Sequence, residues 1–370
     1  MKKNESYQGF ELGPIRPPSE AYSLLLRINR GCGWNKCRFC GFYRDTPFSP
    51  RSAEDVKKDI DRIKYWVDVF QGRAAASQPQ TEGEQEACYM AYNWIQSGMQ
   101  SVFFQDANSI LMNPDEMIQV LEYLNQTFPS IRRITSYARS DTINRLGLER
   151  LTRYRELGLN RFHIGLETGN DYILKLMRKG VDKQTQIAAG IKAMAAGIEI
   201  NEFYMPGMGG REYARASALD TADVMNQVNP DFIRIRSMAL AENLEMYEDY
   251  ESGLLTRPND IETIQEIRLF IENLHGITSF VDSDHILNIL LELTAPYVKV
   301  GGMVIAMKGT AAQEELTEST GAIKKLGLQL EEVRQFPMDD TCHSLILLRK
   351  IAPTPKQYPR RFAKIKQAPL

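Results

Sequence analysis

The sequence predicts an α/β protein: six strand–helix units curled into a partial (β/α)6, TIM-like barrel, followed by a smaller α/β segment. Three observations carry this. Strand-like and helix-like stretches alternate from residue 20 to about residue 236, and each helix must return the polypeptide across the sheet, so the strands run parallel. The protein has 370 residues, which suits one barrel of about 200–280 residues plus an appendage. Three cysteines follow directly on the first strand, at the C-terminal strand edge where function collects in such folds.

The elements follow in order. The first strand is Leu24 to Asn29. Ser52 caps a helix in which Val56, Ile60, Ile63 and Val67 recur at helical spacing. Residues 72–87 are polar and weakly patterned and read as a mobile surface insertion. The second strand is Ser101 to Phe104; Asn113 and Pro114 then open a helix as N-cap and first-turn proline, with Met117, Val120, Leu121 and Leu124 as its apolar face. The third strand, Arg133 to Tyr137, leads to a helix through Leu148, Leu151 and Tyr154. The fourth, Arg161 to Gly165, is followed by helical segments up to Gly197. The fifth, Glu199 to Met205, precedes a helix near Thr221 to Val228, and the sixth is Phe232 to Arg236.

Composition is that of an ordinary globular protein, with 43% hydrophobic and 25% charged residues. A net charge of −2 argues against general polyanion binding, and no apolar run reaches membrane-spanning length. The first residues, Met1-Lys2-Lys3-Asn4-Glu5, have no apolar stretch behind them and do not read as a signal peptide. Five cysteines, three of them bunched, do not make a disulfide framework. They point to a reducing cytoplasm and a metal site, with Cys88 and Cys342 standing apart as isolated thiols.

The bunched run is Cys32-Gly-Trp-Asn-Lys-Cys37-Arg-Phe-Cys40. Three clustered thiols suit an iron–sulfur cluster with one iron left open, with Phe39 beside the loop. A zinc site would need a fourth ligand, and none of the four histidines is close in sequence. Three unrelated structural thiols are the other alternative. The stretch Arg30 to Tyr43 around these cysteines resembles the radical S-adenosylmethionine (SAM) superfamily, over roughly residues 20–288. Members carry three cysteines after the first strand of a partial (β/α)6 barrel, with an aromatic residue before the third. The usual spacing has three residues between the first two cysteines; here there are four, a longer spacing that one branch uses.

The resemblance implies a 4Fe-4S cluster on Cys32, Cys37 and Cys40, with SAM chelating the open iron. It implies reductive cleavage of SAM to a 5′-deoxyadenosyl radical, an electron donor such as flavodoxin or ferredoxin, and a substrate that the sequence does not name. Further cofactor contacts are expected at the strand ends: Phe39; Asp106 and Asn108 after the second strand; Tyr137 and Arg139 after the third; Glu167 after the fourth; and Gly207 and Gly209 after the fifth. The glycines equally suit ordinary turns. Arg234 and Arg236 share a face of the sixth strand and bind an anionic substrate group or pair with acids. His163 reads as a core residue, and Asp282-Ser283-Asp284-His285 as a helix cap.

Residues 1–284 thus form the expected radical SAM core and 285–370 a second segment. That segment contains an apolar helix, a Gly301-Gly302 turn, a strand Met303 to Met307, a helix Ala311 to Leu326 and strands near 329–336 and 344–348. Leu290 to Gly302, the strand ending Ala306-Met307-Lys308-Gly309, and Pro353 to Arg361 resemble the end of the 16S rRNA guanine-N7 methyltransferase (GidB) family. The implied fold is an incomplete class I methyltransferase sheet. Its glycine-rich SAM loop has no counterpart, so methyl transfer by this segment is not expected. Residues 349–370 hold seven Lys or Arg and no acid, a basic tail that either contacts RNA phosphates or is simply solvated. A radical SAM enzyme is therefore the expected function; an rRNA-modifying or rRNA-binding protein and a non-catalytic iron–sulfur protein are the alternatives.

Overall fold

A computed structural model describes residues 7, 9–75, 78–236, 238, 240–282, 287–308, 312–338, 341–360, 364–365 and 370. The protein divides into two compact units, residues 1–281 and 282–370.

In the first unit, seven strands form one sheet in sequence order: β1 (Leu24–Arg27), β2 (Ser101–Gln105), β3 (Arg133–Ala138), β4 (Leu159–Glu167), β5 (Glu199–Tyr204), β6 (Phe232–Ile235) and β7 (Phe280–Asp282). Every pairing from β1 to β6 is parallel. The seventh strand is additional to the sequence reading. It is only three residues long and carries too little periodicity to stand out. Asp282 ends it, and the rest of the expected cap, residues 283–285, lies outside the described residues.

The connecting helices are α1 (Ala53–Phe70), α2 (Glu82–Gln96), α3 (Pro114–Thr127), α4 (Ser140–Arg145), α5 (Leu148–Glu156), α6 (Asp171–Leu176), α7 (Lys183–Ala195), α8 (Gly210–Val228), α9 (Glu245–Glu251) and α10 (Asp260–Glu272). Two caps expected from sequence are present. Ser52 accepts from the Asp55 amide, and Asn113 accepts from the amides of Asp115 and Glu116, with Pro114 behind it. Val56, Ile60, Ile63 and Val67 of α1 all turn inward. Trp94, Phe103, Leu121 and Phe162 bury themselves with them in the main core.

The insertion expected at 72–87 is corrected at its end. Thr81 caps α2 by accepting from the Glu84 amide, so residues 82–87 open a helix. Ala87, Met90, Ala91 and Trp94 form its buried stripe, starting with small or flexible side chains among polar ones.

The second unit contains α11 (Leu287–Thr294), β8 (Met303–Lys308), α12 (Ala312–Glu318), α13 (Thr320–Lys325), β9 (Leu328–Met338) and β10 (Thr341–Lys350). Its sheet is antiparallel with β10 in the centre. The single helix expected over 311–326 is broken at Ser319. There the Thr320 hydroxyl donates back to the carbonyls of Leu316 and Thr317, a competition with the helix ladder that hydroxyl side chains offer. The basic tail begins later than expected, because Arg349 and Lys350 belong to β10. Arg349 forks onto Glu331, Lys350 donates to the Leu326 carbonyl and to Thr354, and Arg360 forks onto the buried Glu292.

Candidate functional site

The cysteines lie on a loop that leaves the top of β1. A short antiparallel pairing of Asn29–Arg30 with Ser49–Pro50 closes the loop at its base. The four-residue spacing between Cys32 and Cys37 is taken up at Asn35, which sits at φ 46°, a left-handed conformation that Asn tolerates better than most residues. Its amide donates to Cys32 Sγ at 3.4 Å, and its side chain donates to the Tyr43 carbonyl at 2.6 Å. Arg44 reaches back to the carbonyls of Cys37 and Cys40, and the Arg38 amide donates to Met177. The loop is thus fixed by its own backbone from several sides.

Cys32, Cys37 and Cys40 are free thiols and partly buried. Burial pushes the thiols of Cys37 and Cys40 up, while Lys179 pulls both the other way and Arg139 also pulls at Cys37. Among the described residues, no three His, Cys, Asp or Glu side groups close on a single ion. A cubane places its thiolates on separate irons, and three free thiols on one loop are a donor set of the kind it takes.

Lys179 was not foreseen from the sequence. Its ammonium lies 2.9 Å from Glu167 Oε1 and over the Phe39 ring at 5.8 Å. Only the fold brings it there, because it follows Glu167 by a short helix and a turn. Gly165 makes the room: a Cβ there would stand 2.2 Å from Glu167 Oε1 and 3.0 Å from Lys179 Nζ. Glu167 itself is at φ 67°, a sparsely populated conformation for a side-chain-bearing residue and a common mark of functional turns.

The other expected contacts fall differently. Asp106, at φ 72°, is buried and spends both oxygens inside the protein, accepting from Tyr43 Oη at 2.8 Å and from Arg27 Nε at 2.7 Å. It braces the cysteine loop and is not open to a ligand. Asn108 is likewise engaged at both ends, donating to Thr142 and accepting from the Arg139 amide. Arg139 stacks on Trp34, pairs with Asp141 and donates to the Lys179 carbonyl, tying the cysteine loop to the strand ends. At Gly207, φ is 86°, its amide donates to Glu266 and its carbonyl accepts from Tyr250. A Cβ at Gly209 would meet Ile173 Cδ1 at 2.6 Å. Both glycines take part in the turn and its packing.

Inside the barrel, Tyr137 packs edge-on to Phe103, and Phe203 stacks on His163. His163 is a core residue, as expected. Asn201 Nδ2 donates to its Nδ1 at 2.7 Å, which assigns the ring proton to Nε2, 3.5 Å from Glu20 Oε1. Burial holds the imidazole neutral, pushing it down to about 4. Burial alone would raise Glu20, but His163, Arg133 and Ser23 hold it down at about 2.

Glu202 is the opposite case. Burial pushes its carboxyl up to about 8 against the pull of Lys179, with Glu167 adding to the push. Its proton stays on in the folded protein where the unfolded polypeptide has lost it, so stability falls as pH rises from 4.5 to about 8. Glu202→Gln removes that loss. The expected gain over the parent at pH 8 is ~2–4 kcal/mol, shrinking toward pH 4.5, read from denaturant midpoints across pH. A parallel pH profile for the two proteins would refute it.

A partial parallel barrel with a three-cysteine loop at its strand ends defines a class, and the comparisons give the family. The Radical SAM superfamily domain matches residues 26–220, and the protein belongs to that superfamily. Its enzymes use a 4Fe-4S cluster and SAM. Coproporphyrinogen III oxidase (HemN) from Escherichia coli, a radical SAM enzyme, aligns over 68% of this protein and 52% of its own length, at 16% identity and TM-score 0.47. The radical S-adenosylmethionine methyltransferase TsrM from Kitasatospora setae aligns over 64% and 41%, at 14% identity and TM-score 0.44.

The C-terminal resemblance is also found. Ribosomal RNA small subunit methyltransferase G of Thermoanaerobacter sp. (strain X514) is 45% identical over 86 residues, 23% of this protein and 36% of that one. The Clostridium beijerinckii protein of the same description matches to the same extent, 45% over 86 residues. The match spans little more than a third of the length of these curated relatives. No described helix is long and apolar enough to cross a membrane.

Proposed function

We propose that this radical SAM enzyme acts, within its barrel, on a C–H bond of a small molecule or of an amino-acid residue, with Cys32, Cys37 and Cys40 holding the cluster. The observation that carries the reading is the placement of the three partly buried thiols beside the Lys179–Glu167 pair at the strand ends. When bound, the cluster and SAM supply a 5′-deoxyadenosyl radical, which takes a hydrogen atom from the substrate.

The protein's own residues bind and orient. Lys179 offers a cation to a carboxylate next to the cluster, and Glu167 offers an acceptor to an ammonium or a ribose hydroxyl. Phe39 covers the loop on that side. Trp34 donates its indole N–H to the Arg178 carbonyl and closes over Gly180, where a Cβ would come within 2.3 Å of the ring. These contacts, with Arg139 on the Trp34 ring, tie the cysteine loop to the end of β3 and to the turn after α6.

A low-potential electron donor such as flavodoxin or ferredoxin and a reducing cytoplasm complete the proposal. The full-length protein, reconstituted anaerobically with iron and sulfide and then reduced with SAM present, is expected to release 5′-deoxyadenosine. It is also expected to show an EPR spectrum that SAM shifts. A fully loaded protein whose spectrum ignores SAM and which forms no 5′-deoxyadenosine would be an electron carrier instead.

A further inference from the structure

Helix α9 lies beyond the matched family region, which ends at residue 220, yet it is fastened to the cysteine loop. Its first residue, Glu245, gathers three guanidinium groups. Arg44 Nη1 donates to Oε1 at 3.2 Å, Arg178 Nη1 donates to Oε2 at 2.9 Å, and Arg38 Nε stands 3.6 Å from Oε2. One turn further on, the buried Asp249 accepts from Arg38 Nη2 at 2.8 Å. The Met246 amide donates to the Arg38 carbonyl, and Met246 is buried in a cluster against which Phe39 packs.

These contacts reach the cysteines through one more bond. Arg44 donates from Nε to the Cys40 carbonyl at 3.1 Å and from Nη2 to the Cys37 carbonyl at 2.7 Å. A planar guanidinium cannot turn toward one partner without leaving another, so Glu245 fixes the fork that holds both carbonyls. Arg178 directly precedes Lys179. It sits at φ 51°, a sparsely populated conformation for a side-chain-bearing residue, and its carbonyl accepts from the Trp34 indole at 2.7 Å. Glu245 therefore ties the turn that presents Lys179 to Glu167 to the same point as the cysteine loop. An isolated surface pair contributes little, but here one carboxylate serves three guanidinium groups and the neighbouring Arg38–Asp249 pair is mostly buried.

We propose that Glu245 and Asp249 are positioning residues: through Arg38, Arg44 and Arg178 they set the placement of Cys37, Cys40 and Lys179, and with it the seating and the potential of the cluster. This rests on the radical SAM reading above. In the iron-free protein they keep the loop in the conformation that leaves Cys37 and Cys40 partly buried. In the loaded protein each carboxylate offsets guanidinium charge on the loop. Removing one leaves the loop more positive, which favours the reduced, more negative cluster.

The test uses the full-length protein and the variants Glu245→Gln, Asp249→Asn and Glu245→Asp. Iron-free samples are alkylated with iodoacetamide, and the rate is read at each cysteine by peptide mass. Alkylation of Cys37 and Cys40 is expected to quicken at least ~3-fold in Glu245→Gln and about tenfold in Asp249→Asn, with Cys88 unchanged. Reconstituted samples are then titrated reductively under EPR. At a fixed potential, the oxidised-to-reduced ratio of the cluster is expected to fall about threefold in Glu245→Gln. Glu245→Asp keeps the charge with a shorter reach, so it should keep the parent potential while its cysteines alkylate faster. Glu245 is partly exposed, so its variants keep the test decisive if Asp249→Asn fails to fold. Parent-rate alkylation in Glu245→Gln, an acceleration that Cys88 shares, or an unshifted potential overturns the proposal. A shifted potential in a cluster whose spectrum ignores SAM leaves the role of α9 standing and removes the radical reading instead. A parent that takes up no cluster also removes that reading, and the alkylation rates then decide the role of α9.

Discussion

Replacing any one of Cys32, Cys37 or Cys40 with Ala leaves the anaerobically reconstituted protein without its brown chromophore, and 5′-deoxyadenosine formation drops to the level of the iron-free protein. A cubane with one open iron already rests on its minimum of three thiolates, and a second open iron invites loss of the cluster. The fold is expected to survive. The three thiols are only partly buried, and the loop is fixed by Asn35, Arg38, Arg44 and Trp34 rather than by sulfur. The thermal midpoint of the iron-free variants should therefore lie within a few degrees of the iron-free parent, a surface-like cost of about 1 kcal/mol or less. Cys88→Ala is the control: it is a free thiol on α2, away from the loop, and its iron content should match the parent. Full iron loading and 5′-deoxyadenosine release in Cys37→Ala would overturn the assignment of the cluster.

Arg51→Met is expected to cost ~3–5 kcal/mol, lowering the midpoint by roughly 10 °C. Arg51 and Asp59 are fully buried and 2.6 Å apart, and Arg51 also donates to the Arg27 carbonyl. Burial pushes Asp59 up to about 6 although Arg51 and Tyr7 Oη both donate to it. The sign follows from that shift. A folded carboxyl above its ordinary 3.8 makes stability fall as pH rises from 3.8 toward 6. Without Arg51 the carboxyl climbs further and the loss continues to higher pH. The variant should accordingly be hurt more at pH 8 than at pH 5. Arg51→Met combined with Asp59→Leu should recover most of the loss, because no buried charge remains. A cost below ~1 kcal/mol at pH 8 for the single variant would mean that the pair is solvated after all.

Much of this was legible from residue order. The six parallel strands were found because Val56, Ile60, Ile63 and Val67, or Met117, Val120, Leu121 and Leu124, repeat at a period that only a helix buries. The cysteine loop was legible because thiols that share an inorganic group must be close in sequence or in space, and here they are close in sequence. Lys179 was not legible, since its meeting with Glu167 depends on Gly165 leaving room beneath them and on the turn after α6. Asp106 and Asn108 stand at a strand end as expected, but their side chains are engaged within the protein. Sequence gives the residue type, whereas the partners that consume a carboxylate, here Tyr43 and Arg27, come from other strands and loops. The start of α2 was hidden because its buried stripe opens on Ala87 rather than on a large apolar residue.

Glu11 lies ahead of the first strand and outside the matched family region, which begins at residue 26. Yet Arg27, Arg30 and Arg51 all converge on its carboxylate. Two residues further on, the Gly13 amide donates to Gln105 Oε1, and the Gln105 amide group donates back to the Gly13 carbonyl. Trimming the protein to the family boundary would therefore take from Arg27, Arg30 and Arg51 the carboxylate they share, leaving Arg27 to Asp106 and Arg51 to Asp59, and unfasten the end of β2. The contacts that brace the base of the cysteine loop thus begin before the region by which its family is recognised, and forms shortened to β1 are expected to unfold at a lower temperature than the full-length protein.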